Sequence, residues 1–86
     1  MPQISRFYGI VINMYWGDHP PPHFHAHYGS DRAQVRIDPV GLLAGQLPPR
    51  VLAMAVEWAA LHRDELLADW EMAQNNITPN EIEGLP

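Results

Sequence analysis

HFHAHYGSDRAQVRID, residues His23 to Asp38, alternates polar and apolar side chains on both sides of a turn. In the first arm Phe24, Ala26 and Tyr28 alternate with His23, His25 and His27. In the second, Ala33, Val35 and Ile37 alternate with Gln34, Arg36 and Asp38. A period of two marks strands with one buried face, and Gly29-Ser30-Asp31 is turn chemistry. The stretch therefore predicts a β-hairpin. A one-residue slip would carry one apolar set to the wrong side, which constrains the register. A loop of two or four residues is expected to set Tyr28 across from Ala33, Ala26 from Val35 and Phe24 from Ile37. The other face then sets His27 across from Gln34, His25 from Arg36 and His23 from Asp38.

Upstream, Arg6 to Trp16 is rich in aromatic and β-branched residues and predicts a strand. Its even positions, Tyr8, Ile10, Ile12, Met14 and Trp16, form an apolar face; Asn13 is polar on the other. Gly17-Asp18-His19-Pro20-Pro21-Pro22 ends it, because prolines cannot donate to a ladder and stiffen the residues before them. Downstream, Gly41 to Leu47 suggests a fourth short strand. Pro48 and Pro49 suit a first helical turn, and the pattern is helical from there to Asn75. Leu52, Ala55, Ala59, Leu66, Trp70 and Ala73 lie on one stripe. Val51 to Leu61 is apolar nearly all round, with Glu57 the exception, which predicts burial and an arginine partner, Arg6 or Arg50, for Glu57. An unbroken helix over 48–75 would be about 42 Å long, against a radius of gyration of about 12 Å for a compact chain of this size. It must break near His62 or project, and a projecting half carrying Trp70 and Met72 would need a partner.

These elements predict an α+β fold: one domain over residues 1–86, with a small antiparallel sheet of three to four strands in 4–47 (the N-terminal strand plus the histidine-rich hairpin). The sheet packs against one long or broken C-terminal helix in 48–75, and 76–86 is an extended tail. Eighty-six residues bury only about 60% of their unfolded surface, and without cysteine there is no disulfide or thiolate site. Ten Asp+Glu against five Lys+Arg give a net charge of −5, which argues against broad nucleic-acid binding; nucleic acid would enter only as a substrate. The chain begins without a charged segment followed by an apolar run, and no apolar stretch is long enough for a membrane span. A cytoplasmic location is expected.

Four of the five histidines fall between His19 and His27. Residues two apart in a strand share a face about 6.6–7 Å apart, so His23 and His25 can converge on one divalent metal ion such as zinc. His19 or Asp18 would add a third ligand from the loop, as in three-ligand zinc sites. His27, two pleats from His23, is too distant to join them. A metal-free alternative uses His23 and His25 as acid and base, Arg36 to stabilise a developing anion and Asp38 to fix a tautomer, a layout suited to phosphodiester cleavage. The plain alternative is a solvated, histidine-rich surface. On the helix, Trp58, His62, Glu65 and Asp69 fall along one side; they read as an amphipathic boundary, with His62 able to complete the site if the helix meets the hairpin. Trp16, Trp58 and Trp70 read as core or interface aromatics.

Met1-Pro2-Gln3-Ile4-Ser5-Arg6-Phe7-Tyr8-Gly9-Ile10, then Asp18-His19 followed by Pro21-Pro22-His23-Phe24-His25-Ala26, then Glu57-Trp58-Ala59, Leu61-His62, Glu65-Leu66 and Trp70 together resemble a bacterial family, domain of unknown function 4160, over almost the whole chain. The resemblance maps the family motif onto His19, His23, His25 and His62, and implies no established catalytic set. It implies genes often paired with a small protein of domain-of-unknown-function family 2442, an arrangement similar to toxin–antitoxin operons. The expected function is accordingly a partner-binding component of such a two-gene system, with the family 2442 protein or a second copy as partner and Trp70 as interface anchor. The alternative is a small histidine-dependent hydrolase, such as a ribonuclease, with or without metal.

Overall fold

The computed structural model describes residues 2–86. Five strands, β1 (Gln3–Phe7), β2 (Ile10–Asn13), β3 (His23–Tyr28), β4 (Asp31–Ile37) and β5 (Val40–Gly45), precede two helices, α1 (Pro49–Leu61) and α2 (Arg63–Gln74). The strands form one antiparallel sheet in chain order. The class is α+β, as the sequence predicts, but the sheet has five strands rather than three to four, and there are two helices.

The extra strand comes from the N-terminal segment. Arg6 to Trp16 is a hairpin rather than one strand, turning at Tyr8 and Gly9 with φ of 50° and 80°. Two consecutive left-handed residues let a two-residue turn match the strand twist. Glycine takes that conformation freely, and Tyr8 takes it at an exposed tip. Ile10, Ile12 and Met14 are fully buried as the even-position pattern predicts, whereas Tyr8 and Trp16 at its ends are exposed. The fifth strand begins at Val40, one residue before the predicted Gly41, and ends at Gly45. Gly45 has a φ of 78°, and a side chain there would collide with the Arg32 carbonyl. The β4–β5 register shifts further along, between Gln34 and Val35, where Leu43 is the extra residue on β5.

The central hairpin keeps its predicted faces and changes its predicted partners. The turn is the two residues Gly29 and Ser30, and a two-residue turn pairs the residues that flank it, so the expected register would have needed the four-residue loop: Tyr28 pairs with Asp31, Ala26 with Ala33, Phe24 with Val35, His25 with Gln34 and His23 with Arg36. Every partner lies two residues from the expected one. A shift of two preserves which side chains share a face, and Phe24, Ala26, Ala33, Val35 and Ile37 are all buried on the helix side.

Pro48 and Pro49 open α1 as predicted. Of the predicted stripe, Ala55, Ala59, Leu66, Trp70 and Ala73 are buried and Leu52 packs at the core margin. Val51 to Leu61 is not buried all round: Ala53, Glu57, Ala60 and Leu61 are exposed. Small alanines make this outer face tolerable in water. Glu57 forms no ion pair among the described residues, with Arg6, Arg50 or any other. Trp58 sits at the centre, its ring 5.3 Å from that of Phe7 and 5.4 Å from that of Phe24.

The helical run breaks at His62, whose φ of −116° and ψ of 27° leave the α region. Asp64 and Glu65 in the first turn of α2 favour a new start there through the helix dipole. The longest extent is 33 Å, too short for the rod of about 42 Å that an unbroken helix would need. The break has one further consequence. Trp70 is only 5% exposed, inside its own fold, so its assignment as an interface anchor is corrected: α2 folds back and uses Trp70 as core.

Residues 76–86 carry no regular structure, yet they strap the molecule. The Ile82 N–H donates to the Ile4 carbonyl (2.7 Å) and the Trp58 indole donates to the Glu83 carbonyl (2.8 Å). Ile82 is buried, and Gly84 lies against Phe7 and the Arg6 carbonyl so closely that a side chain there would collide. No helix among the described residues is long and apolar enough to cross a membrane.

Candidate metal centre

The loop before β3 is tied to the end of α2. The Gly17 N–H donates to the Ala73 carbonyl (3.3 Å), and the Gln74 side-chain amide donates to the Asp18 carbonyl (3.0 Å). Within the loop the Asp18 Oδ1 accepts the His19 N–H at 2.9 Å. These bonds hold the Asp18 carboxylate over the start of β3, where strand alternation points His23 and His25 to one face. Asp18 Oδ2 then lies 3.0 Å from His23 Nε2 and 2.8 Å from His25 Nε2. Of the two loop residues the sequence offers as third ligand, Asp18 joins the histidines; the His19 side chain is not in the group.

The polarity of His23 is informative. Its Nδ1 lies 2.8 Å from the Pro21 carbonyl oxygen. A carbonyl only accepts, so Nδ1 carries the proton. In the neutral ring Nε2 then bears a lone pair. That nitrogen is buried and forms no hydrogen bond among the described residues, although a carboxylate oxygen stands within ion-pair distance. Two lone pairs facing each other need a positive charge between or upon them, either a second ring proton or a cation. Anchoring the distal nitrogen on a carbonyl while the proximal one is held free is the usual outer-shell support of a metal-ligating histidine.

The spacing suits an ion as well. The three donor atoms lie within 4.8 Å of one another. Bonds of about 2.0–2.2 Å to a tetrahedral zinc ion would set its donors about 3.3–3.5 Å apart. The two separations from Asp18 Oδ2, 3.0 and 2.8 Å, would need to open by about half an ångström to reach that spacing. The His23 ring is 5.3 Å from that of Trp70, and the His25 ring is met edge-on by Tyr15 at 4.3 Å. Burial raises the Asp18 pKa, but the His25 hydrogen bond, the His19 N–H and the charges of both histidines outweigh it and hold the carboxyl below its ordinary value. The carboxylate is thus in its ligating form at neutral pH.

The other predicted site residues stand apart from this centre. Arg36 is opposite His23, but its Nε donates to the Pro39 carbonyl at 3.0 Å. Asp38 lies past the end of β4 and pairs with Arg63 at 2.6 Å, whose hydrogen bond holds the Asp38 pKa low. The expected pairing of Asp38 with His23 is therefore corrected, for the same two-residue shift. His62 Nδ1 meets Glu65 Oε1 at 2.6 Å and its ring lies against Trp58; it is not part of the metal-ligating group. His27 is outside the group too, as its spacing predicts. Its pKa is lowered by burial, then by Arg32 and His25.

Asp69 is a site that the sequence pattern touches without explaining. It is 2% exposed; Oδ1 accepts the Asn80 N–H at 3.0 Å, and Oδ2 is buried without a partner among the described residues. Burial pushes its pKa up to about 6, with Glu65 adding to the rise and the Asn80 bond opposing it. Only its place among buried helix positions could have flagged it.

Residues 9–71, which hold all three donors and the helical motif residues from Glu57 to Trp70 but neither β1 nor the strap, match the family described as Domain of unknown function (DUF4160). No curated protein and no solved structure matches the chain. A match over well more than half of the sequence places it: the chain belongs to the Domain of unknown function (DUF4160) family.

Proposed function

We propose that the protein binds a divalent transition-metal ion, zinc by its donor set, through Asp18, His23 and His25, and acts as a small metal-dependent hydrolase. The observation that carries this reading is the buried His23 Nε2, which bears the lone pair of the neutral ring because Nδ1–H donates to the Pro21 carbonyl, and which has no hydrogen bond among the described residues although Asp18 stands beside it. Two imidazoles and one carboxylate leave room for water on a tetrahedral ion, and such an ion lowers the pKa of bound water toward about 7. The chain's own part is to hold the donors: the Pro21 carbonyl sets the His23 tautomer, α2 fixes the loop, and Trp70 and Tyr15 restrain the rings. Protein purified without chelator should carry close to one equivalent of zinc or a similar ion by elemental analysis, and should hydrolyse an activated ester in a chelator-sensitive way. Metal-free preparations that also fail to take up added zinc would end this reading.

A second reading, the partner-binding component of a toxin–antitoxin-like pair, draws on β5. The tail bonds to Ile4 along β1, whereas β5, Val40–Gly45, pairs among the described residues with β4 alone, carries no charge and leaves Leu42 44% exposed. An uncharged edge strand is a template for strand addition. Light scattering separates the cases: a monomer at high concentration removes the second copy as partner and leaves a different small protein.

A further inference from the structure

A cleft of about 380 Å³ opens on the outer face of the sheet, beside the metal centre. His25 and His27 of β3, Arg32 and Gln34 of β4 and Tyr15 line it. The register explains the company these side chains keep, since His27 is opposite Arg32 and His25 is opposite Gln34. His25 belongs to both places: its Nε2 faces Asp18 while its ring forms cleft wall.

The chemistry of the lining runs against that of the chain. The protein has ten Asp+Glu, five Lys+Arg and a net charge of −5, yet no carboxylate lines this cleft. Arg32 makes no ion pair, and neither Arg32 nor Gln34 uses a side-chain donor in a hydrogen bond among the described residues. An exposed guanidinium with all its donors free and a side-chain amide, in a concavity walled by two imidazole rings and lined by no carboxylate, form a recognition set for a tetrahedral oxyanion. The net negative charge disfavours a long polyanion, which would be repelled over most of the surface.

We propose that the cleft is a phosphate subsite, and that the substrate is a small phosphate ester whose phosphoryl group sits against Arg32 beside the metal centre. For its chemistry, though not for its binding, this rests on the hydrolase reading above. Hydrolysis of such an ester breaks one P–O bond and forms another to the oxygen of water. The water's protons end on the leaving alkoxide and in solvent, so that phosphate and an alcohol result and no other reactant is consumed. Tyr15 and the alanine and glycine backbone of β5 offer the alcohol portion a surface with little charge.

The test is calorimetric titration of inorganic phosphate into the metal-free protein at low salt, with Arg32→Gln, and with Arg50→Gln as a control at an exposed arginine on α1. Saturable binding at one site is expected, weakened about tenfold by Arg32→Gln and unchanged by Arg50→Gln. Zinc affinity, measured separately without phosphate, should be the same in all three proteins. Phosphate bound no more tightly than acetate, or equal affinity in wild type and Arg32→Gln, would overturn the subsite. Should Arg32→Gln fail to fold, Gln34→Ala is read by the same criterion. Phosphate binding without zinc binding would sink the metal centre and leave the subsite; zinc binding without phosphate binding would do the reverse.

Discussion

Zinc at a hundred times its dissociation constant is expected to raise the melting temperature of the wild-type protein by at least about 10 °C, and that of His23→Ala hardly at all. A ligand at that excess stabilises the folded state by about 2.7 kcal/mol, and each kcal/mol moves the midpoint of a domain this small by roughly 4–8 °C. His23 is the ligand held most firmly, with its ring buried beside Trp70 and its Nδ1 on the Pro21 carbonyl. Losing it should weaken zinc binding by more than about a hundredfold, since even outer-shell partners are worth 10–100-fold. His23→Ala also opens a gap beside Trp70 and lowers stability without metal. His25→Ala and Asp18→Asn therefore complete the set: both residues are partly exposed, so their metal-free folds should be near wild type while the zinc response is lost. An equal zinc shift in all four proteins would mean that zinc binds elsewhere.

The second large effect is expected from the strap. Ile82→Ala should cost about 2–5 kcal/mol, the usual penalty for emptying a buried aliphatic site, out of the 5–15 kcal/mol that domains possess. Ile82 is 5% exposed, its N–H closes on Ile4, and the next residue receives the Trp58 indole hydrogen bond. Removing residues 79–86 should leave Trp58 with an unpaired indole and Phe7 uncovered, and largely unfold the chain. Asp69 makes the strap pH-sensitive. Its folded pKa of about 6 lies above the ordinary 3.8, so the folded state binds the proton more tightly than the unfolded chain. The stability it contributes is fully present below about 4 and is lost as pH rises through about 6. Asp69→Asn should remove that fall, which a difference between the two urea-denaturation profiles from pH 4 to 7.5 would show. A profile parallel to wild type throughout would place the titration on another group.

The sequence displays some of this architecture openly. Alternation over His23–Asp38 fixes which side chains share a face, because strand geometry permits only one assignment that buries Phe24, Val35 and Ile37 together. It cannot fix the partners, since faces are identical after a two-residue shift, and the choice fell to the conformation of Gly29 and Ser30. The first hairpin was hidden for a related reason: Tyr8-Gly9 has only one favoured turn residue, and the apolar pattern continues through it. The break at His62 follows from compactness, whereas the burial of Trp70 needs the direction in which α2 returns.

At the site, the convergence of His23 and His25 is a matter of strand spacing, and Asp18 was within reach as one of two loop candidates. What the chain could not display is the Pro21 carbonyl that sets the His23 tautomer, or the α2 bonds that bring Asp18 rather than His19 to the histidines. Arg32 and Gln34 entered the cleft only once the register was known. Backbone acceptors and cross-strand neighbours are products of tertiary structure and leave no residue-type signal.

X-ray absorption at the zinc edge of the loaded protein tests the central claim most directly. The account predicts one zinc per chain with two imidazole nitrogens and oxygen ligands at about 2.0–2.2 Å, and no such two-imidazole zinc in His25→Ala. A zinc shell of oxygens without imidazole, or a two-imidazole spectrum that survives both His23→Ala and His25→Ala, would contradict it.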